Sequence, residues 1–348
     1  MRIGLLGYEQ AGKRTLFTLL TGRAVPEGRK AAEALEGVAH IHDPRVDVLS
    51  RLCQPERTTY AENHFVLCPD VASASAAVGG AGREWLEAAR RSDLLCLVVR
   101  AFESDDVYHP EGTVDAARDR AALEAELGLA DMMLCEQRLE RLGRELKGAH
   151  TPAQVREQTA LQKVLKTLEA ERPVSEAGLD PDELASVRKF GLTCLLPRLW
   201  TYNVSEADVN RDFGPGSFAV SARIEREIAE LGEASEREEY LATLGLTSSG
   251  LDRMNAAAYQ ALGLMSYYTI GSDEVRAWTI RAGAHAPEAG GKIHSDIERG
   301  FIRVEVIKYD ELVAAGSEKA ARERGKAQSR GRDYVMEDGD ICHFLFNV

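Results

Sequence analysis

A glycine, four intervening residues, a second glycine and a lysine form a phosphate cradle when they link a buried strand to a helix. Gly7-Tyr8-Glu9-Gln10-Ala11-Gly12-Lys13 has that spacing. The chemistry requires that order. Glycines let backbone N–H groups close around phosphate oxygens, a helix start favours an anion, and the lysine ammonium offsets charge on the β- and γ-phosphates. The pattern ordinarily continues with Ser or Thr, whose hydroxyl ligates Mg²⁺. Here Arg14 takes that position and Thr15 follows. Gly7, Glu9, Gln10, Ala11, Gly12, Lys13, Arg14 and Thr15 are therefore the candidate phosphate-binding residues. The competing reading is a plain strand-to-helix turn that leaves Lys13 in solvent.

A second cluster follows an apolar run further on. Asn203-Val204-Ser205-Glu206 lies where a P-loop GTPase-like fold carries its base-reading Asn-x-x-Asp. An Asp there accepts two N–H bonds from guanine, whereas adenine presents an acceptor at N1, so Glu206 need not favour guanine. The other reading of Asn203, Val204 and Glu206 is a helix start capped by Asn203 or Ser205. Val220-Ser221-Ala222 offers backbone donors near the base, with Ser221 and Ala222 as candidates.

These residues need a scaffold, and the hydrophobic pattern supplies one. Ile3–Leu6 is a short apolar run suited to a buried parallel strand, and Leu16, Phe17, Leu19 and Leu20 follow at helical spacing. Strands are expected at Val38–His42, Phe65–Leu67 and Leu94–Val99, with an Asp43-Pro44-capped helix and a helix over Glu84–Arg91 between them. Val71–Gly82 reads as loop, and Arg23–Gly37 shows no strand period. The alternation implies βαβ units. From Thr113 the character changes. Leu123, Leu127, Ala130, Leu134, Leu139, Leu142 and Leu146 mark one long amphipathic helix, and Leu161, Val164, Leu165 and Leu168 mark another. A break at Gly148–Pro152 makes an αα-hairpin whose stripes pack on each other. Strands return at Thr193–Val204 and Phe218–Val220, before a helix over Glu225–Leu231. Beyond Tyr267, period-two runs at Val275–Ile280, Phe301–Val306 and Cys342–Val348 describe a small mixed-β domain with turns at Gly271, Gly290-Gly291 and Asp338-Gly339.

At 348 residues the chain exceeds one compact core, and two or three domains are expected. No apolar run approaches the ~20 residues of a membrane helix, and the start lacks a signal-peptide cleavage site, so no membrane association and a cytoplasmic location are expected. Cys53, Cys68, Cys96, Cys135, Cys194 and Cys342 are scattered and make no zinc clamp. His64, His109 and His150 read as isolated. A net charge of -13 argues against broad nucleic-acid affinity. Within Lys319–Arg332, however, Lys319, Arg322, Arg324, Lys326, Arg330 and Arg332 stand among few acids. That segment is either an RNA-phosphate contact or a solvated helix face.

The chain resembles the Obg-like ATPase (YchF) family, a branch of the translation-factor-related P-loop GTPases. The likeness is strongest in Glu274-Val275-Arg276-Ala277-Trp278-Thr279-Ile280, Ile293-His294-Ser295-Asp296, Gly300-Phe301-Ile302-Arg303, Asp338-Gly339-Asp340 and Phe344-Leu345-Phe346-Asn347-Val348. These are similar to the family's TGS domain. Arg100–Asp106 and Glu126–Asp131 also match family segments. The resemblance implies an α/β fold: a P-loop NTPase G domain (1–112 and 192–264), interrupted by a helical hairpin (113–191) and followed by a mixed-β TGS domain (265–348). It also implies nucleotide binding, ATP or GTP with a lean to ATP, and contact with ribosomes.

The departures from the family pattern cluster around magnesium. Arg14 replaces the Ser ligand. The Asp-x-x-Gly expected near Val66-Leu67-Cys68-Pro69-Asp70 has Leu67 in the Asp register, so Asp70 could serve as a metal ligand only after a local shift. Lys30–Gly37, in place of the first switch, contains no Thr. Three readings follow: a nucleotide-binding regulator with slow or impaired hydrolysis, a pseudo-GTPase adaptor that binds no nucleotide, and an active ATPase that needs Asp70 for its metal. The loss of Mg²⁺ ligands favours the first two.

Overall fold

A computed structural model describes residues 1–26, 33–71, 84–146 and 151–347. The fold has two units, Met1–Gly37 with His64–Leu251, and Val38–Asn63 with Asp252–Val348. In chain order the first half comprises β1 (Arg2–Leu6), α1 (Lys13–Thr21), β2 (Leu35–Ile41), α2 (Pro44–Cys53), β3 (Arg57–Thr59), β4 (Ala61–Leu67), α3 (Glu84–Arg90), β5 (Leu94–Ala101), α4 (Ala116–Glu145) and α5 (Pro152–Glu169). Then come α6 (Pro181–Arg188), β6 (Arg198–Val204), β7 (Ser217–Val220), α7 (Ala222–Glu230), α8 (Ala234–Thr243) and α9 (Gly250–Ala261). The rest comprises β8 (Leu264–Thr269), β9 (Glu274–Arg281), α10 (Ala286–Ile293), α11 (Ser295–Arg299), β10 (Phe301–Lys308), α12 (Tyr309–Ala315), α13 (Glu318–Glu323), β11 (Gln328–Arg330) and β12 (Asp340–Phe346).

The first sheet has the order β2-β4-β1-β5-β6-β7. β1 lies between β4 and β5 and pairs parallel with both, Leu5 opposite Leu67 and Leu6 opposite Leu97. β5 and β6 pair parallel, as do β6 and β7. Ile3, Leu5 and Leu6 are fully buried, as a strand covered on both faces requires. The apolar run from Thr193 is not all strand. Residues 193–195 form a 3₁₀ turn, and the ladder begins at Arg198 after Pro197, which has no N–H to donate.

The long helix α4 is capped by Asp115, whose carboxylate accepts from the N–H groups of Ala117 and Arg118. Its apolar stripe serves two cores. Leu123, Leu127 and Ala130 pack with the sheet residues Val66, Leu97 and Trp200. Cys135 and Leu142 pack instead with Ala160, Leu161 and Val164 of α5 and Val187 of α6. The stripe read from sequence as hairpin packing alone is thus divided. The proposed break between the helices falls largely on 147–150, outside the described residues. α5 begins after Thr151, whose side chain accepts from Gln154 N while the Gln154 side chain accepts from Thr151 N.

The second unit is built on the sheet β11-β10-β12-β8-β9-β3. β10 pairs antiparallel with β12, and β8 antiparallel with β9. The three-residue β3 lies parallel to β9, Arg57 opposite Glu274, and Thr59 Oγ1 donates to Glu274 Oε1 at 2.6 Å. Residues 38–63 therefore pack with 252–348. Gly290-Gly291 does not form the expected turn but lies inside α10. A Cβ on Gly290 would approach Ile297 Cγ2 to 2.6 Å, so that glycine serves close helix packing. Asp340, fully buried, accepts from Lys308 Nζ at 2.6 Å and from Tyr334 Oη and Glu337 N at 2.9 Å.

Leu161, 1% exposed in the helical core, gives a test of that packing. Leu161→Ala should lower stability by about 2–5 kcal/mol, read from the urea midpoint followed by far-UV circular dichroism.

Candidate functional site

The glycine-rich turn leaves the sheet at the C-terminal end of β1, where open parallel sheets place ligands. Gly7 has no room for a side chain, because a Cβ would overlap the Val98 carbonyl oxygen on β5. Tyr8 bridges to Val71, and Val71 N donates to Gly7 O at 3.1 Å. The Tyr8 ring is buried in the core cluster that includes Leu123 and Leu127 of α4, and burial pushes its phenol up to about 12. Gln10 and Gly12 adopt left-handed backbone, φ 61° and 96°. Glu9, Gln10 and Arg14 are exposed, and Thr15 is half-buried. Helix α1 starts at Lys13 with no side chain capping its first N–H groups and no acid in its first turn. Those groups and the helix dipole suit an anion.

Asn203 binds three chain segments together. It is 3% exposed at the end of β6; its Nδ2 donates to Ala11 O at 3.1 Å, and its Oδ1 accepts from Ala222 N at 3.0 Å. A Cβ on Gly12 would overlap this same Nδ2. Ser221 caps α7 by accepting from Ile224 N. The glycine turn, Asn203 and Ser221-Ala222, singled out separately in the sequence, are thus one constellation. Val204 is buried, whereas Glu206 stands exposed in a one-turn 3₁₀ helix. Asn203 therefore positions the main chain, while Ser205 and Glu206 of that motif are exposed.

Lys13 is 2% exposed and fully partnered. Its Nζ donates to Gly7 O at 2.7 Å and to Tyr8 O, and lies 2.7 Å from Asp70 Oδ1. Burial pulls the Lys13 pKa below its ordinary value, and Asp70 opposes that shift. The other carboxylate oxygen of Asp70 is 3.6 Å from the exposed Arg14 guanidinium. Asp70 thus reaches the cradle, three residues beyond Leu67, which is buried at the end of β4.

The described residues at the cradle do not fit a bound Mg²⁺. That ion requires near-octahedral oxygen coordination. Position 14 presents a cation, position 67 an apolar side chain, and the Asp70 oxygens each face a cation. Among the described residues, no group of three or more His, Cys, Asp or Glu converges as a metal site. Residues 30–32 of the segment lacking the switch Thr lie outside the described residues.

One buried cluster escaped the sequence reading. His109, taken there as isolated, is 6% exposed, and its Nε2 lies 2.9 Å from Asp119 Oδ2. Glu111 N donates to His109 Nδ1, and Arg118 donates twice to Asp119 Oδ1. No motif spacing marks a loop His against a helix Asp ten residues later. In the basic segment, Arg322 pairs with Glu305 and Glu318, and Lys326 with Glu311. Arg324 donates to Ala314 O, Arg330 lies over Tyr334, and Arg332 donates to Phe301 O, while Lys319 is exposed. The segment's charge is thus partly offset by Glu305 and Glu311, further back in the chain, and by Glu318 one helical turn away.

Residues 264–347 match the family model YchF-GTPase_C, described as "Protein of unknown function (DUF933)". The chain is 36% identical over 362 residues to "Ribosome-binding ATPase YchF" of Haemophilus influenzae, covering 100% of this chain and 99% of the relative. It is 36% identical to the protein of the same name from Bacillus subtilis, covering 99% of each. It is 32% identical to "Obg-like ATPase 1" of Caenorhabditis elegans, covering 100% of this chain and 92% of that one. The solved "Structure of the Schizosaccharomyces pombe YchF GTPase" superposes with a TM-score of 0.83 at 31% identity, covering 99% of this chain and 97% of the other.

The contact between Gly12 and Asn203 sets up a double-mutant cycle. Gly12→Ala and Asn203→Ala should each destabilise the fold. The Gly12→Ala loss should be smaller in the Asn203→Ala background, with a coupling of about 0.5–3 kcal/mol. Additive losses in chemical unfolding would mean that the left-handed backbone at Gly12, not Asn203, excludes the methyl.

Proposed function

The chain belongs to the Obg-like ATPase (YchF) family, and from this we propose that it is a nucleotide-binding P-loop regulator that works with the ribosome in the cytoplasm. The observation that carries the nucleotide reading is the cradle itself. Gly7 and Gly12 sit where any side chain would collide, the first amides of α1 are uncapped, and a buried Lys13 is fixed at their centre. ATP, or GTP, would place its phosphates against Gly7, Glu9, Gln10, Ala11, Gly12, Lys13, Arg14 and Thr15. Asn203, Val204, Ser221 and Ala222 frame the base side, and Glu206 contacts the base. Ribosome association rests on relatives that are named as ribosome-binding ATPases. No helix among the described residues is long and apolar enough to cross a membrane.

Hydrolysis in this reading is slow or absent, because no set among the described residues at the cradle suits Mg²⁺. The proposed organisation is a G domain over 1–112 and 192–264, a helical insertion over 113–191 and a TGS domain over 265–348, with residues 38–63 lending their packing to the last. Lys319, Arg324, Arg330 and Arg332 are the proposed RNA-phosphate contacts of that domain. Arg322 and Lys326 are secondary members, since acids already pair them. One observation favours the adaptor alternative, in which no nucleotide binds: every donor of the Lys13 ammonium already has a partner within the protein.

Calorimetric titration with ATP and GTP, each with and without Mg²⁺, separates these readings. Binding indifferent to Mg²⁺ is expected, and no heat from either nucleotide would leave the adaptor standing. Lys13→Ala should abolish binding; an unchanged Kd would sink the nucleotide reading. Arg14→Ser should make binding depend more on Mg²⁺, and a flat dependence would show that position 14 does not account for the missing metal.

A further inference from the structure

The three protons of the Lys13 ammonium are all engaged, two by the rigid carbonyls of Gly7 and Tyr8 and the third by Asp70 Oδ1. The two carbonyls belong to the turn that must surround a phosphate, and Gly7 O is further held by Val71 N. The carboxylate is the partner that a side-chain rotation can remove. Its side chain is 25% exposed, so water can receive it, whereas Lys13 is 2% exposed. Asp70 is also the third residue after Leu67, where the Asp-x-x-Gly pattern carries its glycine. The sequence thus replaces a residue without a side chain by an anion that reaches the phosphate-binding lysine.

We propose that Asp70 is a built-in counter-anion that occupies Lys13 in the empty site and must be displaced by the phosphates of an incoming nucleotide. The inference rests on the nucleotide reading above. A carboxylate and a phosphate oxygen cannot share one ammonium proton at hydrogen-bonding distance, and the two anions repel each other. Binding therefore exchanges one charge-assisted bond for another, and the affinity gained from Lys13 is reduced by the bond that is broken. Arg14, 3.6 Å from the second carboxylate oxygen and largely exposed, neutralises Asp70 once it has left Lys13. The carboxylate in turn supports the empty protein, because a buried ammonium without a counter-charge is destabilising.

Asp70→Asn removes the anion while keeping the shape, and two readouts should move in opposite directions. The Kd for ATP and for inorganic tripolyphosphate, both without Mg²⁺, should fall about tenfold, as expected when a charge-assisted bond no longer has to be broken. The Tm of the nucleotide-free protein should fall as well, and ATP should restore more of it than in the unaltered protein. If Asp70→Asn does not fold, Asp70→Ser serves the same comparison. An unchanged or weaker affinity in the variant, with Lys13→Ala still abolishing binding in the parent, would overturn the role of Asp70 and leave the nucleotide reading intact. Binding that appears only in the Asp70 variant would support the role of Asp70 and show that the parent is closed to nucleotide. No binding in either protein would overturn both.

Discussion

The side-chain amide of Asn203 is the constraint on which the rest of the site depends. A parallel sheet delivers its strand ends to one edge but does not fix the loops that leave them. Asn203, at the end of β6, holds the glycine turn after β1 through Ala11 O and the start of α7 through Ala222 N. Both ends of one planar group are used, so neither loop can shift without leaving a buried polar atom unpaired. Gly12 completes the arrangement, since its missing side chain is the space that the amide nitrogen fills. The glycine turn is thus fixed in place by a residue that the sequence assigned to the base.

Electrostatics within the cradle follow from burial. An ammonium 2% exposed needs anions or carbonyls close by, and Lys13 has them in Gly7, Tyr8 and Asp70. Arg14 and Asp70 change the charge arrangement together: one puts a cation where a hydroxyl metal ligand is usual, the other brings an anion to the lysine. The same economy of paired charge recurs in the second unit, where Glu305, Glu311 and Glu318 meet the cations of the basic segment. What remains unpaired there is concentrated in a few residues rather than spread along a stripe.

Much of the scaffold was legible because buried parallel strands are written as unbroken apolar runs. Ile3–Leu6, Phe65–Leu67 and Leu94–Val99 each fall inside an observed strand. β3 was not legible, since three exposed or half-buried residues, Arg57-Thr58-Thr59, carry no period and take their strand identity from β9. Gly290-Gly291 misled for a related reason: glycine marks a turn locally, but here a helix needs it for contact with Ile297. The stripe of α4 was read correctly as helical, yet its division between two cores depends on where the sheet lies. In the site, residue types and spacing marked the glycine turn and Lys13, which the fold sets between β1 and α1. Asp70 was singled out as a metal ligand and not as the partner of Lys13, because the spacing pattern puts a glycine there, and Asp119 belongs to no spacing rule that links it to His109.

The pairing of β3 with β9 has a consequence for how the chain is made. Thr59 and Glu274 are 215 residues apart, and they meet in one sheet. At a synthesis rate of about 5–20 residues per second, the early strand waits roughly 10–40 s for its neighbour. Over that interval β3 exists without the strand it pairs with, so the nascent chain carries an unpaired strand until β9 has been made. A fold interleaved in this way closes its second unit only after the sequence of the first has been made, and a premature stop before β9 leaves β3 without its neighbour.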